Sequence, residues 1–229
     1  MDNTLKLYGP AWSAYVRTAR LTLIEKAVEH ELVDVDFSNA HMPAAQLQRH
    51  PFGKVPALQH GDFSLYETNA ICRYIDTAFT GPALQPTDAR QLARMTQIIA
   101  VLDAYLSAEI RKGYVYEGLF KPMTGNAVDR ERLAQSKQAI DTGFTALGKL
   151  PGDGLFMAGD QVTLADLHAI PLFDYLSLTS GGCELIEAHT SLHRWWTNIC
   201  DRESVLQTTY DLSVFSSRWR QFLSPRPAS

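Results

Sequence analysis

From Arg49 to Tyr74 the chain reads RHPFGKVPALQHGDFSLYETNAICRY, and this stretch restricts the possible folds more than any other. Gly53 and Pro56 bracket Lys54 and Val55, so the backbone enters a short apolar strand, Val55 to Leu58, through a fixed turn. Gly61-Asp62 turns the chain, and Phe63-Ser64-Leu65-Tyr66 alternates as a partly buried strand does. Glu67-Thr68 follow at once, after which Ala70, Ile71, Tyr74, Ile75 and Ala78 recur at helical spacing. A proline-locked strand edge therefore meets the N-terminus of a helix. That meeting point suits a small peptide-like ligand bearing carboxylates: the helix start offers free N–H groups and partial positive charge, Thr68 a hydroxyl, and Glu67 an acceptor for an ammonium group. A cis Val55-Pro56 bond would turn the Val55 N–H and C=O outward to pair with an extended ligand. The same residues also suit a plain hairpin whose proline ends a loop.

The chain before this stretch reads strand, helix, strand. Leu5-Lys6-Leu7-Tyr8 is a short strand stopped by Gly9-Pro10, and Val16, Ala19, Leu23 and Ala27 mark a helix with Ser13 as its N-cap. Leu32-Val33-Asp34-Val35-Asp36 alternates as a second strand. Residues 38–49 are polar and loop-like, with a short helix around Ala44 to Gln48. Thr80-Gly81-Pro82 through Gln85-Pro86-Thr87 collects the glycine and prolines of a linker. Beyond it the periodicity is helical throughout, with one helix over Asp88 to Ile110 and another from Val128 to Leu150, ending at Pro151-Gly152. Between them, Tyr116 and Phe120 share a helix face, either as core or as an apolar wall. Thr163 and Asp166 have the spacing of a capping box at the start of a core helix, which makes Asp166 a structural acid. Trp195, Trp196 and Trp219 suit packing of the last helices.

Composition narrows the class. The 229 residues suffice for one large or two small domains, and 45% hydrophobic against 20% charged residues excludes global disorder. A net charge of −4 without a Lys/Arg run argues against nucleic acid as a partner. No apolar run reaches ~18 residues and MDNTLKLYG lacks a basic segment before an apolar core, so a cytoplasmic protein with no membrane partner is expected. Cys72, Cys183 and Cys200 are scattered, which indicates neither a disulfide framework nor a zinc site, and no metal is expected. His189 and His193 lie four apart, as at a solvated helix end, with no third ligand nearby.

The pattern HPFGKVPAL…YETNAICRYI resembles the glutathione-binding half of glutathione S-transferases, whose thioredoxin-like domain carries a cis-proline after a valine and an acidic–hydroxyl pair at the next helix start. YGPAWSAYVRTARL is similar to the start of phi-class enzymes and their serine-type relatives, in which a glycine after the first strand is followed four residues later by the catalytic serine; here the proline stands one place earlier than usual. TLADLHAIPLFDYL looks phi-like as well. The resemblance runs from Leu5 to about Leu206. It implies an α/β plus all-α architecture: a thioredoxin-like domain over residues 1–80, a linker over 81–89 and a helical-bundle domain over 90–229, assembled as a homodimer.

That resemblance places the catalytic hydroxyl on Ser13, with Tyr8 as the rival because tyrosine-type members use the end of the first strand. Arg17 falls on the basic residue four positions further into the helix. Glutathione, the cosubstrate, would be held by His41, Lys54, Val55, Pro56, Glu67 and Thr68, and an apolar electrophile by Trp12, Tyr116 and Phe120. The implied activity is attack of glutathione thiolate on electrophiles, a detoxifying reaction. Glutathione-dependent peroxide reduction at the same site, or a non-catalytic role as a carrier of apolar ligands, are the alternatives. Disulfide-exchange relatives need a cysteine near position 13, and none lies there.

Overall fold

The computed structural model describes residues 4–36, 42–150 and 154–209; His41, the Pro151-Gly152 helix end and Trp219 lie outside the described residues. β1 (Leu5–Tyr8) leads through α1 (Ala14–Glu25) to β2 (Glu31–Val33), which runs parallel to β1. After the short α2 (Ala44–Arg49) come the antiparallel strands β3 (Ala57–His60) and β4 (Phe63–Tyr66), then α3 (Thr68–Ala78). The strands lie in the order β2-β1-β3-β4, with Leu7 opposite Leu58 at the centre. Both leucines join Leu21, Leu23, Ile71 and Ile75 in one buried cluster, so α1 and α3 cover this face of the sheet. The other face carries a smaller cluster of Tyr8, Val35 and Ala57, with Met42 packed against it.

Two strands differ from their sequence-based limits. β2 stops at Val33 although alternation continues to Asp36, because Val35 turns into the Tyr8–Ala57 cluster without pairing on the ladder. β3 starts at Ala57 rather than Val55, since Pro56 has no N–H to give.

The second half is helical. α4 (Ala89–Val101), capped by Asp88, continues into two wide-wound π segments, Leu102–Leu106 and Glu109–Phe120, and a last turn, α5 (Lys121–Met123). This corrects the single α-helix expected over Asp88 to Ile110. The bonds are diagnostic: Ser107 N–H reaches Leu102 C=O and Lys121 N–H reaches Tyr116 C=O, each five residues back. α6 (Arg130–Leu147), α7 (Leu164–Ser177), α8 (Gly182–Glu187), α9 (Thr190–Ile199) and α10 (Glu203–Thr208) complete the fold.

α7 is the centre of this half, buried from Leu164 to Phe173, with Phe173 stacked on Phe144 of α6 at 4.8 Å. Its capping box forms as expected, and Asp166 goes further than a cap. The carboxylate accepts from Thr163 N–H, Thr163 Oγ1, Met157 N–H and Trp195 Nε1 at 2.7 to 2.8 Å, tying the helix start to a preceding loop and to α9. Asp166 is therefore occupied as a structural acid. Burial pushes its pKa up, against the pull of those four donors.

The connection between the halves is bolted down at both ends. Buried Lys26 pairs with Asp76 at 3.1 Å and donates to Pro82 C=O, while Asp76 also accepts from Leu84 N–H and Gln85 Nε2. Leu84 C=O in turn accepts from Leu164 N–H.

Two predictions follow from α7. Thr163→Ala lowers unfolding free energy by about 1 kcal/mol in denaturant melts with turnover retained; loss of turnover at unchanged stability would contradict the structural assignment. His168 is fully buried, its Nδ1 bonded to Leu164 C=O at 2.7 Å and its Nε2 without a hydrogen-bond partner among the described residues, and burial pushes its pKa down to about 4. The unfolded chain then binds the extra proton between the ordinary value of 6.5 and 4. Stability present above pH 6.5 is lost as pH falls, by up to about 3 kcal/mol from this residue. Urea melts between pH 7 and 4 show that slope, and His168→Leu flattens it.

Candidate functional site

The site begins with the loop after β1. Gly9 has φ +147°, and a Cβ there would sit 2.4 Å from Val16 Cγ2 and 3.1 Å from Val55 Cβ. Only glycine fits, and the close approach brings α1 against the Val55–Pro56 segment. Ser13 N–H bonds to Pro10 C=O at 3.0 Å, turning the chain into α1, where Ser13 is the N-cap and its Oγ accepts from Val16 N–H at 3.4 Å. From the helical half, the Tyr175 hydroxyl donates to Trp12 C=O and holds this loop from above.

Two cavities meet at that loop. The larger, about 680 Å³, is lined by Ser13, Lys54, Val55, Pro56, Glu67 and Thr68, together with Trp12, Tyr15, Met42, His50, Asn69 and Asp103. The smaller, about 410 Å³, is lined by Ala14, Val115, Tyr116, Phe120 and Tyr175. Trp12, Ser13, Arg111 and Lys112 border both. Apart from Tyr8 and Arg17, every sequence-derived site residue within the described part of the chain thus lies on one cavity or the other. His41 lies outside the described residues.

The larger cavity has the polar character of the strand edge and helix start that form it. The Val55–Pro56 peptide is cis. Glu67, N-cap of α3, has φ +73°, a backbone conformation that costs a non-glycine residue on the order of 1–3 kcal/mol and that clusters at functional sites. Its side chain is open to solvent, with Oε1 4.0 Å from Nε2 of buried His50. Burial pushes the His50 pKa down, Glu67 opposes and nearby Lys54 adds to the fall. Asp103, on the first π segment, has its pKa raised by crowding of the surrounding protein, with Arg111 and Tyr15 pulling it back.

Tyr8 and Arg17 are occupied elsewhere. The Tyr8 hydroxyl donates to Gln59 Oε1 at 2.9 Å and its buried ring lies under the Arg49 guanidinium at 3.9 Å, away from both cavities. Arg17, with no exposed surface, pairs with Asp174 of α7 and donates to Thr208 Oγ1 and Val205 C=O of α10. It joins the halves and does not face the cavities.

Sequence reading missed His50, Asp103, Arg111 and Lys112. The last two sit at the head of the aromatic segment, where a cationic pair reads as an ordinary solvated turn. The π winding gathers them on the cavity side: at 3.6 residues per turn Arg111, Lys112, Val115, Tyr116 and Phe120 would spread over roughly half the circumference, whereas at about 4.4 they gather within roughly a third. Among the described residues no group of three or more His, Cys, Asp or Glu is arranged to hold a metal.

Comparison with known proteins decides the family. The family model for the glutathione S-transferase N-terminal domain matches residues 3–77 and that for the C-terminal domain residues 119–203. Glutathione S-transferase F13 of Arabidopsis thaliana is 31% identical over 217 residues, covering 92% of this chain and 97% of its own. The chain belongs to the glutathione S-transferase family. Arabidopsis F12 is 30% identical over 210 residues, covering 87% of this chain and 94% of its own, so the similarity is to plant phi-class (F) members. Among solved structures, transferase F2 of Populus trichocarpa superposes with a TM-score of 0.81 at 29% identity, over 93% of this chain and 99% of that one. A structure of glutathione S-transferase I bound with lactoylglutathione does so at 0.80 and 27%, over 90% of this chain and 98% of that one. The mixed four-stranded sheet with its helices is the thioredoxin-like domain of this family, followed by the helical domain.

In this transferase the loop geometry rests on Gly9. Gly9→Ala lowers the melting temperature and weakens glutathione binding severalfold by calorimetry, since the added methyl pushes α1 from Val55. Unchanged stability and affinity would show that the loop tolerates a Cβ there.

Proposed function

We propose that this transferase binds glutathione in the larger cavity, activates its thiol as thiolate through Ser13, and directs it at an apolar electrophile in the smaller one. The observation that carries this reading is the position of Ser13 on the border of both cavities, at the N-terminus of a 12-residue helix. Its oxygen accepts from Val16 N–H, which leaves the hydroxyl proton to donate to a sulfur. Lys54 suits the glycine carboxylate of glutathione, and the Val55–Pro56 edge its cysteinyl backbone. Thr68, the α3 N-terminus and Glu67 suit the γ-glutamyl end. Trp12, Tyr116 and Phe120 supply apolar wall for the electrophile.

The magnitudes are adequate. A thiol of pKa about 8.5 is only a few per cent thiolate at neutral pH, and lowering it by ~2 units requires ~2.7 kcal/mol. A hydrogen bond to a charged acceptor contributes ~1.5–3 kcal/mol, and the helix terminus adds to it.

Residues 1–80, 81–89 and 90–229 serve in this reading as glutathione domain, linker and electrophile domain. We read the protein as a cytoplasmic homodimer acting in detoxification. Its free cysteines suit a reducing compartment. Phe52, 71% exposed and edge-on to Tyr66 at 6.4 Å, is an apolar group for a second subunit to cover.

An ultraviolet difference titration of bound glutathione tests the mechanism. The thiolate appears well below pH 8.5 in the native protein. Ser13→Ala moves it back toward the free value and cuts kcat by about 10²–10³ with glutathione affinity nearly intact. Tyr8→Phe leaves the titration where it is. If Tyr8→Phe and not Ser13→Ala raises the bound thiol's pKa, the activating hydroxyl is Tyr8; binding with no lowered pKa identifies a carrier.

A further inference from the structure

The smaller cavity holds an imbalance that an apolar electrophile leaves unexplained. Its walls are aromatic and aliphatic, yet Arg111 and Lys112 border it and, among the described residues, no carboxylate does. Of the two cations, Arg111 is engaged: Nε donates to Ser107 Oγ at 3.0 Å, the guanidinium lies over Tyr15 at 4.6 Å, and Asp103 faces it. Lys112 forms no ion pair among the described residues. The carboxylates on its own segment are taken. Glu109 is paired with Arg132 at 3.0 Å and accepts from Ser136, and Glu117 is paired with Lys121 at 2.8 Å and accepts from Asp129 N–H. The π winding therefore sets Lys112, an exposed side chain, on the border between the two cavities, where the apolar chamber it faces has no carboxylate among the described residues.

We propose that the electrophiles this enzyme prefers carry an anionic group, a carboxylate or sulfonate, on an aromatic body, and that Lys112 determines the preference. The inference rests on the function proposed above. The aromatic body fills the space between Trp12, Val115, Tyr116 and Phe120, and the anion is drawn to the rim that Lys112 and Arg111 form. Lys112 is a specificity residue in this scheme and takes no part in the bond changes.

A matched pair of substrates reads this directly: 4-chloro-3,5-dinitrobenzoate and its methyl ester. In both the glutathione thiolate attacks the chlorine-bearing carbon, a C–S bond forms, and chloride leaves with the C–Cl electron pair. Intrinsic reactivities differ, so the measured quantity is the acid-to-ester ratio of kcat/KM in each variant. Lys112→Gln lowers that ratio about three- to tenfold, Lys112→Glu lowers it further, and Lys112→Arg keeps it within about twofold of the native value. Added salt lowers the native ratio and has little effect on that of Lys112→Gln.

An unchanged ratio in Lys112→Gln and Lys112→Glu overturns the proposal. So does a rise in the glutathione KM at constant ratio, which would assign Lys112 to glutathione's own carboxylate. A binding measurement separates failure of this proposal from failure of the transferase reading. Fluorescence titration with 8-anilino-1-naphthalenesulfonate and the uncharged N-phenyl-1-naphthylamine requires no turnover. If neither substrate reacts, loss of the sulfonate's advantage in Lys112→Gln still supports an anion-reading cavity, and its persistence removes that assignment.

Discussion

The arrangement of this site depends on one buried cation. Arg17 has no exposed surface, and its guanidinium spans from α1 to Asp174 of α7 and to Thr208 and Val205 of α10. Removing one partner of such a pair leaves an uncompensated charge in the interior, a loss of about 3–5 kcal/mol. Its structural consequence is directional. The helix whose first residue follows Ser13 is held at a set angle to the half that contributes Tyr116 and Phe120, so the two cavities share a border. Lys26 and Asp76 repeat the device at the connection, where their ion pair also holds Pro82 and Leu84. An interface pinned by buried charges in two places holds groups on the two halves face to face, which the backbone connection alone would not do.

The wide winding between Leu102 and Phe120 is the second determinant. A π segment departs from the favoured helix, and such departures recur at functional sites because they re-aim side chains. Here the winding packs Gly113 so closely on α6 that a Cβ would meet Ser136 Oγ at 1.9 Å. The opposite face turns Arg111, Lys112 and Tyr116 toward Ser13. Strain at the adjoining site is of the same kind: Glu67 holds φ +73° where the strand edge becomes helix α3. Stable packing of α7, with Asp166 satisfied by four donors and Phe173 stacked on Phe144, supports these departures from the outside.

Among the described residues the carboxylates of the site fall on one cavity, while its cations Arg111 and Lys112 border both. Glu67, Asp103, Lys54 and His50 border the larger one together with Arg111 and Lys112, a mixed lining suited to a zwitterionic peptide. Among the described residues only Arg111 and Lys112 are charged in the smaller one. The two cavities that share Ser13 thus differ in their electrostatics.

Local pattern in the sequence determined most of the framework. The strand at Phe63–Tyr66, the glycine–proline punctuation around Lys54, the Ser13 cap and the Thr163–Asp166 box are short-range features, and each recurs in the structure at those residues. The resemblance added the residues that line the cavities, down to Tyr116 and Phe120. Tertiary structure decided what local pattern does not encode. Leu102, Leu106, Ile110 and Tyr114 repeat at a strict spacing of four, which drifts by roughly 40° per step on an α-helix and by a little less, in the opposite sense, on a π-helix, so a run that passes from α into π winding keeps them on one buried side. That repeat was the available signal, and it has meaning only once α6 and α7 lie against the segment. The partners of Arg17 and Tyr8 arise in the same way, because which distant groups reach a cation or a hydroxyl depends on the packed fold. Asp174, 157 positions from Arg17, and Gln59, 51 from Tyr8, are brought there by packing of whole elements. Sequence spacing carries the period of a helix or strand; the pairing of side chains across elements arises only when the core closes.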